Sequence, residues 1–406
     1  ITKGDTLTAD VRLSINKRVT TQGAIISTAN DVINLVERSA MIAKTVPEDQ
    51  NWLSLPTSYG YTQTYDIVDV NIANNNINVF MDLINESKHL VSEIDRRARI
   101  SGIELELAFI RKWIMNSYTN SVFSYDKTLF SFILAVKAAE EGVENSYTAY
   151  YSAPTIKEFD LQTFVEDTVR IAIATLRSKT VDTGLYNVVF SPRVFASIID
   201  TLIVPAIRAD NVQRGRSPLA KKLFSKVIAE DITIIDDGAA PNMSGSMPFD
   251  DEGIPTTRKT VVDKGVLLTY LYDTYTANIE GRESTGNAVR PGLGVPPIPS
   301  ATNIIVLPGT SSVDDIVRDV KEAIVVYETI GERLSNPVNG SLGATITHAV
   351  YYKNGEPMYG VKGVALSGNI YELLDKNFVA LTKEIELVGN SLVPGLCSEK
   401  VVIAGR

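Results

Sequence analysis

The chain holds two histidines, His89 and His348, and one cysteine, Cys397. A catalytic zinc needs three protein ligands and an open position for water, and these three residues have no helical spacing to organise them. His89 reads instead as a residue near a helix end, where positive charge complements the dipole. His348 reads as a hydrogen-bonded strand residue. With imidazoles this scarce a Ser-His-Asp triad has no support, and no Gly-x-Ser-x-Gly elbow occurs. A single thiol cannot close an intrachain disulfide and suits a reducing compartment.

Carboxylates are the next candidates. Asp236, Asp237, Asp250, Asp251 and Glu252 lie close in sequence, as hard-cation ligands can, but lack the EF-hand ladder with its bidentate glutamate. Asn242-Met243-Ser244-Gly245-Ser246 between them reads as a surface loop, so cation binding by residues 236–252 stays an open expectation. Gly281–Asn287 has the glycine spacing of a phosphate-cradling loop, yet Asn287 stands where lysine is obligatory. Arg208, Arg214, Arg216, Lys221, Lys222 and Lys226 form the one basic run, with Phe224 its only aromatic. That pattern suits a solvated loop or a patch facing an acidic partner better than a nucleic-acid platform. The whole chain agrees: 39 basic against 48 acidic residues give a net charge of −9, and polyanion binding needs a basic surface.

The 406 residues are 44% hydrophobic and 21% charged, an ordinary globular composition that excludes intrinsic disorder. This length predicts two or three domains. No apolar run is long enough to span a bilayer and the first ten residues carry no apolar signal core, so a cytoplasmic protein is expected.

Several elements must position these groups. Val11–Ile15 and Val19–Ile26 read as strands. Asn30 or Asp31 caps a helix that Pro47 closes, and a second helix is expected over Asn78–His89. Period-two alternation from Ile100 to Ser152 predicts an antiparallel meander. An amphipathic helix follows over Phe159–Ser178, capped by Asp160. Tyr186–Phe190 is a short strand, and Pro192 opens a helix that Pro205 bends or ends. Arg258–Val262 pairs with Val266–Tyr272, Asn354-Gly355 turns a hairpin, and Val313–Tyr327 reads as a helix capped by Ser311 or Ser312. Asn287–Thr302 is a loop. Helices and antiparallel strands are segregated, which makes the class α+β. Expected divisions are an N-terminal α+β domain over 1–155, a helical middle segment over 156–235, and a strand-rich C-terminal domain, barrel- or sandwich-like, over 236–406.

The second half resembles the TldD/PmbA family, also called the modulator of DNA gyrase family. The resemblance is carried by Asp250-Asp251-Glu252-Gly253-Ile254-Pro255-Thr256, Lys264-Gly265-Val266-Leu267 and Ser284-Thr285-Gly286-Asn287. Thr302-Asn303, Pro308-Gly309, Thr329-Ile330-Gly331, Asn336-Pro337-Val338, Val361-Lys362-Gly363 and Ser367-Gly368-Asn369 follow. It also implies that an opening helix and hairpin of the family is missing before Val11.

This resemblance implies a split of roles. TldD-like subunits are zinc metalloproteases with His-Glu-x-x-x-His on a helix, and TldE- or PmbA-like subunits are their non-catalytic partners. Placed without gaps from Ser191-Pro192, the ligand positions here hold Asp200 and Pro205, and the base position holds Thr201. The family's third ligand, a cysteine in a Cys-Gly turn, does not carry over to Cys397, which Ser398 follows. The resemblance therefore implies no catalytic residue, no metal and no cofactor in this chain. It implies a heterodimer with a TldD-like zinc-protease subunit, or a homodimer when alone, and an extended peptide as substrate. Asp251, Asn287, Arg290 and Asn303 are expected to line a cleft for substrate or partner. Two alternatives stand beside this: a metal-independent hydrolase acting as a homodimer, and a DNA- or gyrase-interacting regulator.

Overall fold

A strand buried on both faces carries apolar residues at consecutive positions, and the second half of the chain supplies such runs. In the computed structural model, which describes residues 2–405, strands Gly184–Phe190, Glu322–Ile330, Ser341–Lys353, Val364–Asn369 and Ser391–Ala404 close into a barrel. Gly184–Phe190 pairs parallel with the 322–330 strand, and the remaining contacts are antiparallel, returning through 341–353, 364–369 and 391–404 to the start. Alternation inside these runs serves two cores. Val188, Phe190, Ile324 and Val326 point into the barrel. Val189, Val325 and Cys397 point outward into a second core with Phe130, Phe132 and Leu134. Beyond the barrel the sheet continues through Ile304–Val306, Ile234–Asp237 and Arg258–Asp263.

The first part of the chain builds on that outer face. Strands β1 (Thr8–Ile15) and β2 (Arg18–Ile25) form a hairpin. Its turn, Asn16-Lys17, holds both residues at positive φ, 49° and 63°, as a two-residue type I′ turn requires. The meander is β3 (Ala98–Ile114), β4 (Phe123–Glu140) and β5 (Val143–Ala153). Phe130, Phe132, Leu134 and Val136 alternate on one face of β4 and are fully buried. Helices Asn78–Ile94 and Leu161–Ala174 add Phe80, Val91, Val165 and Val169 to the same core. Asp160 caps the second of them, accepting from the Thr163 N–H at 3.1 Å.

Three expectations are corrected. Val313–Tyr327 is not one helix: the Ser312-capped helix stops at Asp319 and strand Glu322–Ile330 follows. Ile324, Val325 and Val326 are β-branched and lie wholly inside the two cores, so tertiary burial overrides the helical spacing. The first long helix, Ala29–Ala43, is capped by Thr28, with Asp31 in the third helical position completing a capping box. After Arg258–Asp263 only Val266–Leu267 pairs back; Tyr270 and Tyr272 are buried outside any ladder. Among the described residues no helix is long and apolar enough to cross a membrane.

Candidate functional site

The helix that should carry a metal motif is well formed. Ser191 caps it, Pro192 occupies its first turn, and Val194, Phe195, Ile198, Ile199 and Leu202 anchor its buried face. It runs as an α-helix over Pro192–Ile198, passes through a π-helical turn at Ile199–Ile203, and resumes over Val204–Ile207. Within the wide turn the Val204 N–H donates to Ile199 O, one residue farther back than in an α-helix. Pro205 supplies a cause: it has no N–H to donate, and its ring crowds the carbonyl four residues earlier. Such single wide turns recur at functional sites. Asp200 and Thr201 sit on this turn and Pro205 just beyond it.

Asp200 lies within electrostatic reach of Tyr150 on β5. Its carboxyl reaches solvent, yet the surrounding protein desolvates it and raises it to about 6. Among the described residues it makes no hydrogen bond or ion pair. Tyr150 in turn feels the charges of Arg193 and Glu386. Arg193 lies over the Tyr150 ring at 4.9 Å and pairs with Glu386 at 2.6 Å. Burial raises the Glu386 carboxyl, opposed by Arg193. Arg193 Nη1 is buried without an acceptor. Behind this group His348 presents Nδ1 to Glu328 at 2.5 Å and Nε2 to Ser146 O at 3.0 Å. The Tyr147 ring meets the imidazole edge to face at 5.2 Å.

A second polar centre joins the N-terminal hairpins to the C-terminal part. Asp251 accepts from Lys112 Nζ and from the Arg290 N–H at 2.6 Å. Glu252 accepts from Arg12 Nη1 and from the Thr274 N–H, both at 2.7 Å, and Arg12 stacks on Trp52 at 4.7 Å. Arg290 Nη1 lies 3.6 Å from Asp10. Burial, then the Glu252 charge, lift Asp250 to about 7, against three backbone N–H donors. Asp273 rises to about 6, again chiefly through burial. Desolvation lowers both Lys112 and Lys127 to about 8. Lys127 donates to the carbonyls of Ser244 and Ser246, the latter at 2.9 Å.

The expected cleft residues therefore divide. Asp251 and Arg290 meet in this junction, whereas Asn287 and Asn303 are fully buried and face the interior. Asn287 donates to Asp236 at 2.7 Å and to Ser300 O at 2.9 Å. Asn303 donates to Asp237 O at 2.6 Å and Ser246 Oγ at 2.9 Å. Their amides are spent holding loops together, so neither lines an open surface. Asp236 and Asp237 have protein partners as well, Lys259 and Arg258 at 2.9 and 2.8 Å. Among the described residues no three His, Cys, Asp or Glu side chains converge as a metal would need. His89 lies within a helix, paired with Glu93 at 3.2 Å. Cys397 is buried, and that burial lifts its thiol to about 12. The basic run is partly neutralised, with Arg208 and Arg214 on Asp210 and Lys226 near Asp375.

Sequence reasoning missed Tyr150, Arg193, Glu386, Lys112 and Lys127. Arg193 had a local signal, following Ser191-Pro192 at a helix start. The others become neighbours only through strand pairing, which sequence spacing does not show.

Residues 183–405 match the family described as the PmbA/TldA metallopeptidase C-terminal domain. An uncharacterised protein of Methanocaldococcus jannaschii is 37% identical over 217 residues, 53% of this chain and 50% of that protein. A metalloprotease TldD homolog of Buchnera aphidicola subsp. Acyrthosiphon pisum is 30% identical over 236 residues, 58% of this chain and 47% of that protein. The chain thus spans about half the length of these relatives. The crystal structure of TldE from Thermococcus kodakarensis matches with a TM-score of 0.87 over 98% of this chain and 90% of that one, and at 23% identity it speaks to the fold. With the closed barrel, the flanking sheet and the family match over more than half of its residues, this chain belongs to the TldD/PmbA metallopeptidase family.

Proposed function

We propose that this chain is the non-catalytic, zinc-site-deficient subunit of a TldD/TldE-type metallopeptidase complex. It pairs with a zinc-bearing homologue and supports proteolysis of peptides or unfolded segments. One observation carries the reading: an intact, well-capped helix holds Asp200, Thr201 and Pro205 where the resemblance places ligands and base. Zinc does not fit these residues. Pro205 has no donor atom, the Thr201 hydroxyl is no proton acceptor at neutral pH, and Asp200 alone cannot complete a three-ligand site. The helix nevertheless keeps its packing, with Ile199, Leu202 and Ile203 buried and Asp200 exposed, which supports a role for the fold in pairing and in enclosing a peptide. Strands β5 and Phe378–Val388 each pair with one neighbour, so each keeps one edge without a strand partner among the described residues. Such edges suit an extended chain, whose backbone pairs without regard to sequence.

The test combines metal analysis with reconstitution. The isolated chain, incubated with zinc and desalted, is expected to retain no stoichiometric metal and to leave a fluorogenic peptide intact. Mixed with a homologue carrying His-Glu-x-x-x-His, it is expected to co-elute as a complex and to increase turnover. Stoichiometric zinc in the isolated chain, or failure to associate, overturns the reading.

A further inference from the structure

A cavity of about 470 Å³ lies between the extended segment Ser54–Tyr59 and the helix Thr274–Ile279 with its following turn to Ser284, and Ile254 and Pro255 complete its lining. That volume is within the range of small-ligand sites, and no wide-turn residue lines it. Both walls are fixed through their backbones. Asn116 Nδ2 donates to Pro56 O at 2.8 Å, and the Gly60 N–H donates to Gly253 O at 3.2 Å. Across the cavity the Arg282 N–H donates to Ala277 O at 2.9 Å. The lining side chains, by contrast, are largely unspent. Among the described residues Ser54, Thr57, Ser58, Asn278 and Glu283 make no side-chain hydrogen bond or ion pair within the chain. Arg282 is committed, to Glu280 at 3.3 Å and to the Tyr272 ring at 5.8 Å. Glu283 is thus the one unmatched charge on the lining. Hydroxyls and a primary amide both donate and accept, as a peptide backbone requires. Leu55, Ile254 and Pro255 offer an apolar patch beside them. A peptide's amino terminus combines what these groups take: a cation, amides and a side chain within a few ångströms.

We infer that this cavity binds the amino-terminal end of a short peptide. Glu283 receives the α-ammonium group, the hydroxyls of Ser54, Thr57 and Ser58 and the Asn278 amide meet the first peptide groups, and the apolar patch takes an aliphatic side chain. No bond is made or broken. The inference goes beyond the pairing role proposed above and does not rest on it.

Isothermal titration of the full chain tests it with three ligands: Ala-Leu-Ala-amide, its acetylated form, and glucosamine, which carries an ammonium group and hydroxyls but no amide or aliphatic side chain. The free peptide is expected to bind about fivefold tighter than the acetylated one, the worth of one charge-assisted contact at a partly exposed site, and glucosamine weakest. Glu283→Gln, at an exposed position, is expected to reduce that preference to less than about twofold. Ser58→Trp, also exposed, puts a large ring into the cavity and is expected to weaken both peptides at least about tenfold with the thermal midpoint unchanged. Equal binding of the free and acetylated peptides overturns the inference. So does a preference that survives Glu283→Gln, or peptide binding that is indifferent to Ser58→Trp. Glucosamine binding as tightly as the free peptide assigns the cavity to amino sugars and overturns the peptide reading. Binding of none of the three overturns the inference and leaves the pairing role, which reconstitution tests separately, standing.

Discussion

Asp236 is completely buried yet accepts four hydrogen bonds, from the Thr302 N–H and hydroxyl at 2.6 and 2.9 Å, from Asn287 at 2.7 Å and from Lys259 at 2.9 Å. A buried charge is tolerable only when it is paired and solvated by the protein in this way. Asn287→Ala is therefore expected to lower stability by about 2 kcal/mol, since it strips one donor from a buried carboxylate and strands Ser300 O; urea unfolding with no change beyond about 0.5 kcal/mol contradicts the network. Asp273 behaves differently. Its carboxyl caps a short helix through the Thr276 N–H at 2.8 Å, but burial and the Glu252 charge raise it to about 6 from 3.8. Stability linked to its protonation is fully present below pH 3.8 and is lost as pH rises through about 6. Asn caps equally well and carries no charge. Asp273→Asn is accordingly expected to be near neutral at pH 4 and to stabilise by about 1–2 kcal/mol at pH 8, read from denaturant midpoints at both pH values. A stability difference that does not change with pH sinks this account.

At the scale of elements, local chemistry made much of the fold legible. Asp160 and Ser312 cap helices as their sequence contexts predict, and Asn354-Gly355 turns its hairpin with both residues at positive φ, 52° and 84°. The helix expected through Tyr327 failed because Ile324–Val326 is buried on two sides, a fact of packing with no local signature. The surroundings of the wide turn were legible only in part. Asp200, Thr201 and Pro205 follow from position along one helix, whereas Tyr150 and Glu386 arrive from strands about fifty residues before and nearly two hundred after it. The wide turn is the element on which the site depends, and Pro205 is the residue held responsible for it. Pro205→Ala restores an N–H and removes the ring clash, so the Val204 N–H is expected to shift its bond from Ile199 O to Asp200 O. A crystal structure or backbone NMR of the variant reads this directly. A wide turn that persists with alanine shows that packing of Ile199, Leu202 and Ile203 sets it.

For the whole molecule, the question is what seats the meander of β3, β4 and β5 against the barrel. Apolar packing does most of it: Val189, Val325 and Cys397 project from the barrel into the same core as Phe130 and Phe132. Polar contacts then fix the orientation at two separated places. At one, His348 on the barrel reaches Ser146 O on β5 at 3.0 Å. At the other, Lys112 on β3 reaches Asp251, and Lys127 on β4 reaches the Ser244–Ser246 loop. The lysines sit where β3 and β4 run on toward their connecting turn, an end that Phe123 and Tyr125 also seat against the buried Phe249. Desolvation lowers both ammonium groups to about 8, which means the partners offset only part of the burial cost. Replacing both by methionine keeps the stems and removes the charges. Lys112→Met with Lys127→Met is expected to change global stability by less than about 2 kcal/mol, because relieving two desolvated ammonium groups offsets most of the lost contacts, yet to loosen the far end of the hairpin. Hydrogen exchange is then expected to quicken over Lys112–Lys127 and in the Asn242–Ser246 loop, with the β4–β5 half unchanged. Uniform exchange across β3 and β4 in both proteins removes the latch and leaves the apolar core as the sole cause of the arrangement.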